Sequence, residues 1–278
     1  MRADDGAKLT LPQLLAQMQD ADVIYLGERH DNPRHHAIQA EIINQLLAAG
    51  RRPVLGFEFF SREQSGFLLQ YVARKEADKQ DQKRLRDQLG WGPRRDDSWT
   101  FYFGLLEIAR QNGLSAFGLD LPEAMRTRLQ RKGLDGLTQF ERSMLHSTGF
   151  ADEAYRAKML EQLKAAHCGY GNEDYLGRLY DTWIARNDTM ATALAELVVE
   201  YPGRPVVVIL GGGHVVENLG VYERFAHLRP TARQLNLGLV EHGNAYDQGG
   251  PLPYPVVWFT APRERDDPCK AFRRRHKQ

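Results

Sequence analysis

The chain has 278 residues, enough to bury a sizeable core as one large domain or two small ones. With 42% apolar and 26% charged residues it is globular in composition, and 37 basic against 36 acidic residues exclude a global pull toward nucleic acid. No apolar run has the length to span a bilayer, and Cys168 and Cys269, far apart and without a CxxC, exclude a disulfide framework, a cysteine-based zinc site and covalent c-type haem attachment, and favour neither redox compartment.

The N-terminal Met1–Gly6 lacks the apolar core of a signal peptide, which points to the cytoplasm. Leu11, Leu14, Leu15 and Met18 recur at helical spacing behind Thr10 and predict an amphipathic helix over 10–19. Val23–Leu26 predicts a buried strand that Gly27 ends, and Pro33 restarts the chain as a helix. Between them stand Glu28, Arg29, His30 and Asp31, with His35 and His36 just behind, so three of the nine histidines fall within residues 30–36. One of His35 and His36 is expected to face a crevice and the other solvent.

Ile38, Ile42, Ile43, Leu46 and Leu47 form one apolar helix face that stops at Gly50, and Val54–Glu58 predicts a second buried strand. Ser61 with Gln64 is a capping box opening a helix that buries Phe67, Leu68, Tyr71 and Val72. Residues 73–97 read as a solvated helix and loop, broken at Gly92–Pro93. Ser98 then caps a helix with Phe101, Leu105, Leu106 and Ala109 inward, and Leu114–Asp120 predicts a third strand ending in an acid. From about 122 to 200 the pattern is almost purely helical, including a long run over Glu173–Glu200. Pro205–Leu210 is the most strand-like run; Gly211-Gly212-Gly213-His214 and a helix through Val221 and Phe225 follow it. Leu235–Val240 and Val256–Phe259 predict the last strands, and the basic run Arg273–Lys277 reads as a frayed tail. Alternating helices and continuously apolar strands predict an α/β fold: a three-layer, mainly parallel sheet with helices on both faces and a helical cap insertion. The expected organisation is a single domain over 1–278 with 122–200 as the cap.

Four strand ends carry polar groups: Glu28 with His30, Glu58, Asp120, and His214. In a parallel sheet these ends share one edge, where ligands bind. Two imidazoles and several carboxylates can ligate zinc, iron or manganese, or can act as a metal-free acid–base cluster. The three glycines before His214 let backbone approach a ligand closely and could form an anion nest. Trp91, Trp99 and Trp183 read as packing residues. His214→Ala is expected to cost about 1 kcal/mol or less, as for a strand-end polar group.

These motifs occur in the order seen in a known family. Gly27-Glu28-Arg29-His30-Asp31-Asn32 with His35-His36, Phe57-Glu58-Phe59, Leu119-Asp120-Leu121-Pro122, Asn187-Asp188-Thr189-Met190-Ala191 and Gly211-Gly212-Gly213-His214-Val215 resemble the ChaN family of haem-binding uptake proteins, within the Tiki and erythromycin-esterase clan. The resemblance spans about residues 20–260, and the clan hallmark, two GxxH motifs with an intervening glutamate, matches Gly27–His30, Glu58 and Gly211–His214. Asp120 stands where the family commonly has Asn.

The resemblance implies a haem- or iron-binding protein linked to iron or haem uptake, in the cell envelope or periplasm. Non-covalent haem needs an apolar slot and an axial ligand; His167 and Tyr170, in a turn of the helical block, are the candidates there, with His35 and His36 also assigned to cofactor binding. Tyr175 and Tyr180 read as ordinary half-buried aromatics. The alternative is a metal-dependent hydrolase, peptidase- or esterase-like, in which His30, Glu58 and His214 hold a divalent zinc, manganese or iron and Glu28 is the general base. Its catalytic set is Glu28, His30, Glu58 and His214. Expected partners are haem or another small molecule, a second copy in a homodimer, and a membrane through an N-terminal anchor, but no nucleic acid. No lipobox cysteine stands near residue 1.

Overall fold

A computed structural model describes residues 1–4, 6–92, 96–145, 153–243, 250–267 and 269–270. The tail run at 273–277 and the break at Pro93 lie outside them. Met1–Asp120 with Met190–Ala261 form one compact unit, and Leu121–Thr189 with Pro262–Gln278 form a second.

The first unit is built on six parallel strands, β1 (Val23–Glu28), β2 (Val54–Ser61), β3 (Ala116–Asp120), β4 (Val206–Gly211), β5 (Gln234–Glu241) and β6 (Val256–Thr260), in the order β3-β2-β4-β1-β5-β6. Their continuous apolar runs have a cause. Successive side chains point to opposite faces, and both faces are covered. In β1, Ile24 and Leu26 enter one core while Val23 and Tyr25 enter the other; in β4, Val207 and Ile209 oppose Val206, Val208 and Leu210 in the same way.

The first core is closed by α1 (Leu11–Gln19), α2 (Pro33–Ala48), α3 (Ser65–Val72), α4 (Lys79–Gln88) and α5 (Asp96–Gln111). The second is closed by the end of α9 (Glu173–Glu200) and by α10 (Val221–Leu228). The β1-to-β2-to-β3 connections thus lie on one face, and the end of α9 and the β4-to-β5 connection on the other. The face changes between β1 and β4, so the carboxyl edge there is the topological switch point, the usual ligand position in an open α/β sheet.

Local signals behave as their chemistry requires, with instructive exceptions. Thr10 caps α1 in a capping box with Gln13, and Asn32 caps α2 through Arg34 N at 2.8 Å. Gly27 does not end β1: it continues the ladder opposite Leu210, and Glu28 pairs with Gly211. The Ser61–Gln64 box opens a short 3-10 turn before α3, where Leu68, Tyr71 and Val72 are buried but Phe67 is 38% exposed. Ser98 lies inside α5 rather than at its start. Trp91 and Trp99 are packing residues, 5.6 Å apart in the first core.

The second unit is helical in its described part: α6 (Glu123–Lys132), α7 (Gln139–Ser143), α8 (Glu153–Ala166) and the first part of α9, around Leu121, Met125, Leu129, Leu137, Leu145 and Ala185. Here the cysteine reading is corrected. Cys168 and Cys269, 101 residues apart in sequence, are disulfide-bonded with Cα atoms 5.5 Å apart. Sequence distance carries no information about such a crosslink, because spatial approach alone decides it. Among the described residues no helix is long and apolar enough to cross a membrane.

Two glycines give opposite tests of this packing. A Cβ at Gly118, in β3, would lie 2.1 Å from Ser61 O and 2.7 Å from Phe60 O, both backbone atoms. Gly104, in the exposed middle of α5, meets nothing within 4 Å. Gly118→Ala is expected to cost about 3 kcal/mol by overpacking, and Gly104→Ala to add about 1 kcal/mol through helix propensity. Denaturant unfolding of the two variants measures both.

Candidate functional site

Glu28 ends β1 and is only 5% exposed. A carboxylate in that position needs donors, and four converge on it. Tyr102, from α5, donates its hydroxyl to Oε1 at 2.5 Å, and His30 Nδ1 meets the same oxygen at 2.9 Å. Gln39 and His36, both on α2, meet Oε2 at 2.9 and 3.1 Å. The other contacts of His36 run from Nδ1 to Gln39 Oε1 at 3.0 Å and from Nε2 to the His30 carbonyl at 3.0 Å. Both ring nitrogens are therefore engaged within the protein. Its ring stacks on Phe101 at 4.7 Å.

Tyr102 is fully buried, and burial first, then the charge and hydrogen bond of Glu28 and the more distant Glu58 charge, push its phenol far above the ordinary tyrosine range. It stays a neutral donor at any working pH. His30 is the outward member of the group. Its side chain is 45% exposed, edge-on to Phe59 at 4.5 Å. Because a carboxylate only accepts, Nδ1 carries the proton toward Glu28 and the ring's lone pair lies on Nε2.

The second cluster lies across the switch point. Glu58, in β2, accepts the Gly211 N–H at 2.6 Å, and its other oxygen is 3.1 Å from His214 Nε2; both side chains are buried. Gly211 explains how the clusters meet. A Cβ there would lie 2.7 Å from His30 Cε1 and 3.4 Å from Glu58 Oε2, so the glycine makes room for the imidazole rather than for a turn. The glycine run is accordingly not an anion nest at its first residue, since that N–H is taken by Glu58.

The structure thus brings Glu28, His30, Glu58 and His214 to one sheet edge within the first unit. Asp120 ends β3 at the same edge and is 1% exposed. Among the described residues no group of three or more His, Cys, Asp or Glu is arranged to hold a metal. The set His30, Glu58 and His214 is engaged pairwise, each imidazole with a different carboxylate. The expected split between His35 and His36 is corrected: both are buried, at 0% and 4% exposure. His35 accepts the Arg29 N–H at 2.9 Å through Nδ1 and meets Thr260 Oγ1 at 2.9 Å through Nε2, which ties the β1–α2 turn to β6. Neither ring presents an open nitrogen toward a cofactor.

In the second unit His167 and Tyr170 lie in the turn after α8. His167 Nδ1 donates to the Leu163 carbonyl at 2.7 Å, leaving its lone pair on Nε2, with Tyr175 edge-on at 5.8 Å. Tyr170 is 44% exposed. Sequence reasoning missed Tyr102 and Gln39. A signal existed for both. Tyr102 shares the inward stripe of Leu105, Leu106 and Ala109, and Gln39 that of Ile42, Ile43 and Leu46, so each is a polar tip on a buried face that demands a partner.

Burial also revises the cost of losing His214. His214→Ala removes the imidazole partner of the 4%-exposed Glu58 carboxylate, so about 3 kcal/mol is expected rather than 1. His30→Ala, at a half-exposed ring, should cost less than about 1 kcal/mol. Tyr102→Phe should cost about 1–2 kcal/mol by removing a donor from buried Glu28. Denaturant midpoints at unchanged m-value check this order, and equal costs for His30 and His214 would contradict it.

The family described as haem-binding uptake, Tiki superfamily, ChaN matches residues 14–225. ChaN of Campylobacter jejuni, whose structure concerns cofacial haem binding, is similar with a TM-score of 0.68 at 16% identity, over 88% of this chain and 91% of that one. That identity shows a shared fold. An erythromycin esterase EreC mutant in its open conformation is similar with a TM-score of 0.49 at 16% identity, over 95% of this chain and 83% of that one, too low a score to establish more. Protein RETICULATA-RELATED 5, chloroplastic, of Arabidopsis thaliana is 22% identical over 271 residues, which are 91% of this chain and 35% of that protein. The chain therefore spans about a third of the length of that curated relative. With residues 14–225 matched, the chain belongs to the ChaN family of haem-binding uptake proteins in the Tiki superfamily.

Proposed function

We propose that the protein binds haem non-covalently for uptake and that its helical unit supplies the axial ligand. The observation that carries this reading, beside the family, is the setting of His167. An iron-ligating histidine needs one nitrogen fixed by a hydrogen bond and the other open with its lone pair. The Leu163 carbonyl fixes Nδ1 of His167 in that way. Tyr170, three residues on and exposed, is an alternative, since tyrosine oxygen is a known axial ligand of haem iron. The same unit also presents apolar surface: Phe140 is 73% and Met144 50% exposed, and their i, i+4 spacing in and after α7 places them on one face. Haem, when bound, would supply the iron centre; the chain's residues would orient and shield it.

The Cys168–Cys269 bond supports an oxidising compartment outside the cytoplasm, where such bonds persist. A membrane anchor and a homodimer belong to the same proposal by family.

A second reading rests on a different observation. His30, oriented by Glu28 as a base is oriented in a catalytic triad, is half-exposed at the switch point of the sheet. That arrangement suits metal-free hydrolysis, with His30 taking the proton of an attacking water.

Titration of the purified protein with haemin separates the readings. Soret-band formation with a tight midpoint is expected for wild type. His167→Ala should weaken it by at least about tenfold, the lower bound for losses around a metal ligand. His30→Ala should leave haemin binding unchanged and abolish ester hydrolysis if the second reading holds. Wild-type protein with no Soret response would overturn the haem assignment, and His167→Ala and Tyr170→Phe both binding like wild type would overturn the choice of axial ligand.

A further inference from the structure

The loop that carries His167 ends α8 in a Schellman cap. Gly169 N donates to Lys164 O at 2.8 Å, and Cys168 N to Ala165 O at 3.0 Å. These two bonds define the motif and place Cys168 at its left-handed position, with φ of +60°. Glycine ordinarily stands there, because a Cβ crowds the following carbonyl. Here a cysteine occupies it, and its sulfur is bonded to Cys269. Backbone and ring hydrogen bonds within residues 163–170 shape the loop, and Tyr175 lies edge-on to the His167 ring. The disulfide adds a tie to a segment 101 residues away. Both cysteines are half-buried, and Ala166, Gly169 and Tyr170 around Cys168 are exposed, so a small reductant reaches the bond.

We propose that the Cys168–Cys269 disulfide is a redox lock on the His167 loop: it holds the imidazole in position for axial ligation, and its reduction by a dithiol loosens the loop and lowers haem affinity. This rests on the haem reading above. In the step, the S–S bond breaks, each sulfur gains one electron and one proton, and the dithiol is oxidised to its own disulfide. Freed of the crosslink, Cys168 can leave the left-handed region. The cap bonds at 168 and 169 then open, and His167, one residue before, loses its fixed orientation toward Leu163.

The test uses the full chain in four forms: oxidised; reduced by a dithiol that is then removed anaerobically; Cys269→Ser; and Cys269→Ser combined with Cys168→Gly. Amide hydrogen exchange at positions 168 and 169 reports the cap, and haemin titration reports the ligand. Reduction and Cys269→Ser should each accelerate exchange at both amides and weaken haemin binding about tenfold. Adding Cys168→Gly, which supplies the residue that the left-handed position prefers, should restore slow exchange and most of the affinity without the crosslink. Unchanged exchange on reduction overturns the lock. Faster exchange with unchanged haemin affinity overturns its role in ligation. Faster exchange in a protein whose oxidised form binds no haemin supports the lock and overturns the haem reading instead.

Discussion

A carboxylate buried at the end of the central strand is the constraint on which the site depends. Glu28 cannot be left at 5% exposure without compensation, since an uncompensated charge there would cost several kcal/mol. The fold answers from three elements. The β1–α2 turn brings His30, α2 turns His36 and Gln39 inward, and α5 aims Tyr102 at the same oxygen as His30. Positions on α2 and α5 that helical periodicity assigns to the core therefore carry polar tips. The packing of α2 and α5 onto the first face and the orientation of His30 are one problem with one solution.

The arrangement propagates across the switch point through Gly211. The His30 ring lies where a side chain on Gly211 would be, and the Gly211 N–H is donated to Glu58. Glu58 in turn meets His214. Two carboxylate–imidazole pairs, one at the end of β1 and one spanning β2 and β4, are thus brought together by a residue that has no side chain. This gives the second GxxH motif a physical meaning: its glycine admits the histidine of the first motif.

Most of the fold was legible because its signals are local. Continuous apolar strands, helical stripes and helix starts at Thr10 and Pro33 need only neighbouring residues to be read, and the polar strand ends follow from parallel topology. What was not legible depends on partners distant in sequence. Periodicity places Tyr102 inward but says nothing of Glu28, 74 residues earlier. His35 looked as open as His36 until β6 brought Thr260 to it, 225 residues on. The disulfide is the extreme case: neither cysteine has a local signature, and Cys168 occupies a cap position that sequence assigns to glycine.

The two candidate histidines differ in what stands behind the ring, and this difference separates their chemistry. In both, Nδ1 is the fixed nitrogen and Nε2 bears the lone pair. Behind His30 is a carboxylate, which stabilises the imidazolium that forms when the ring takes a proton. Behind His167 is a backbone carbonyl, which sets the ring's orientation without adding a negative charge. The first setting favours proton transfer, and the second suits neutral donation to a metal. The Glu28 carboxylate is itself held by Tyr102, Gln39 and His36, so the orientation of His30 is fixed by the core. The His167 ring is held by the helix end through the Leu163 carbonyl and meets Tyr175 edge-on, and a crosslink ties the next residue to a distant segment. A covalent bond from the His167 loop to a distant segment adds a restraint that the local hydrogen bonds of the helix end do not supply.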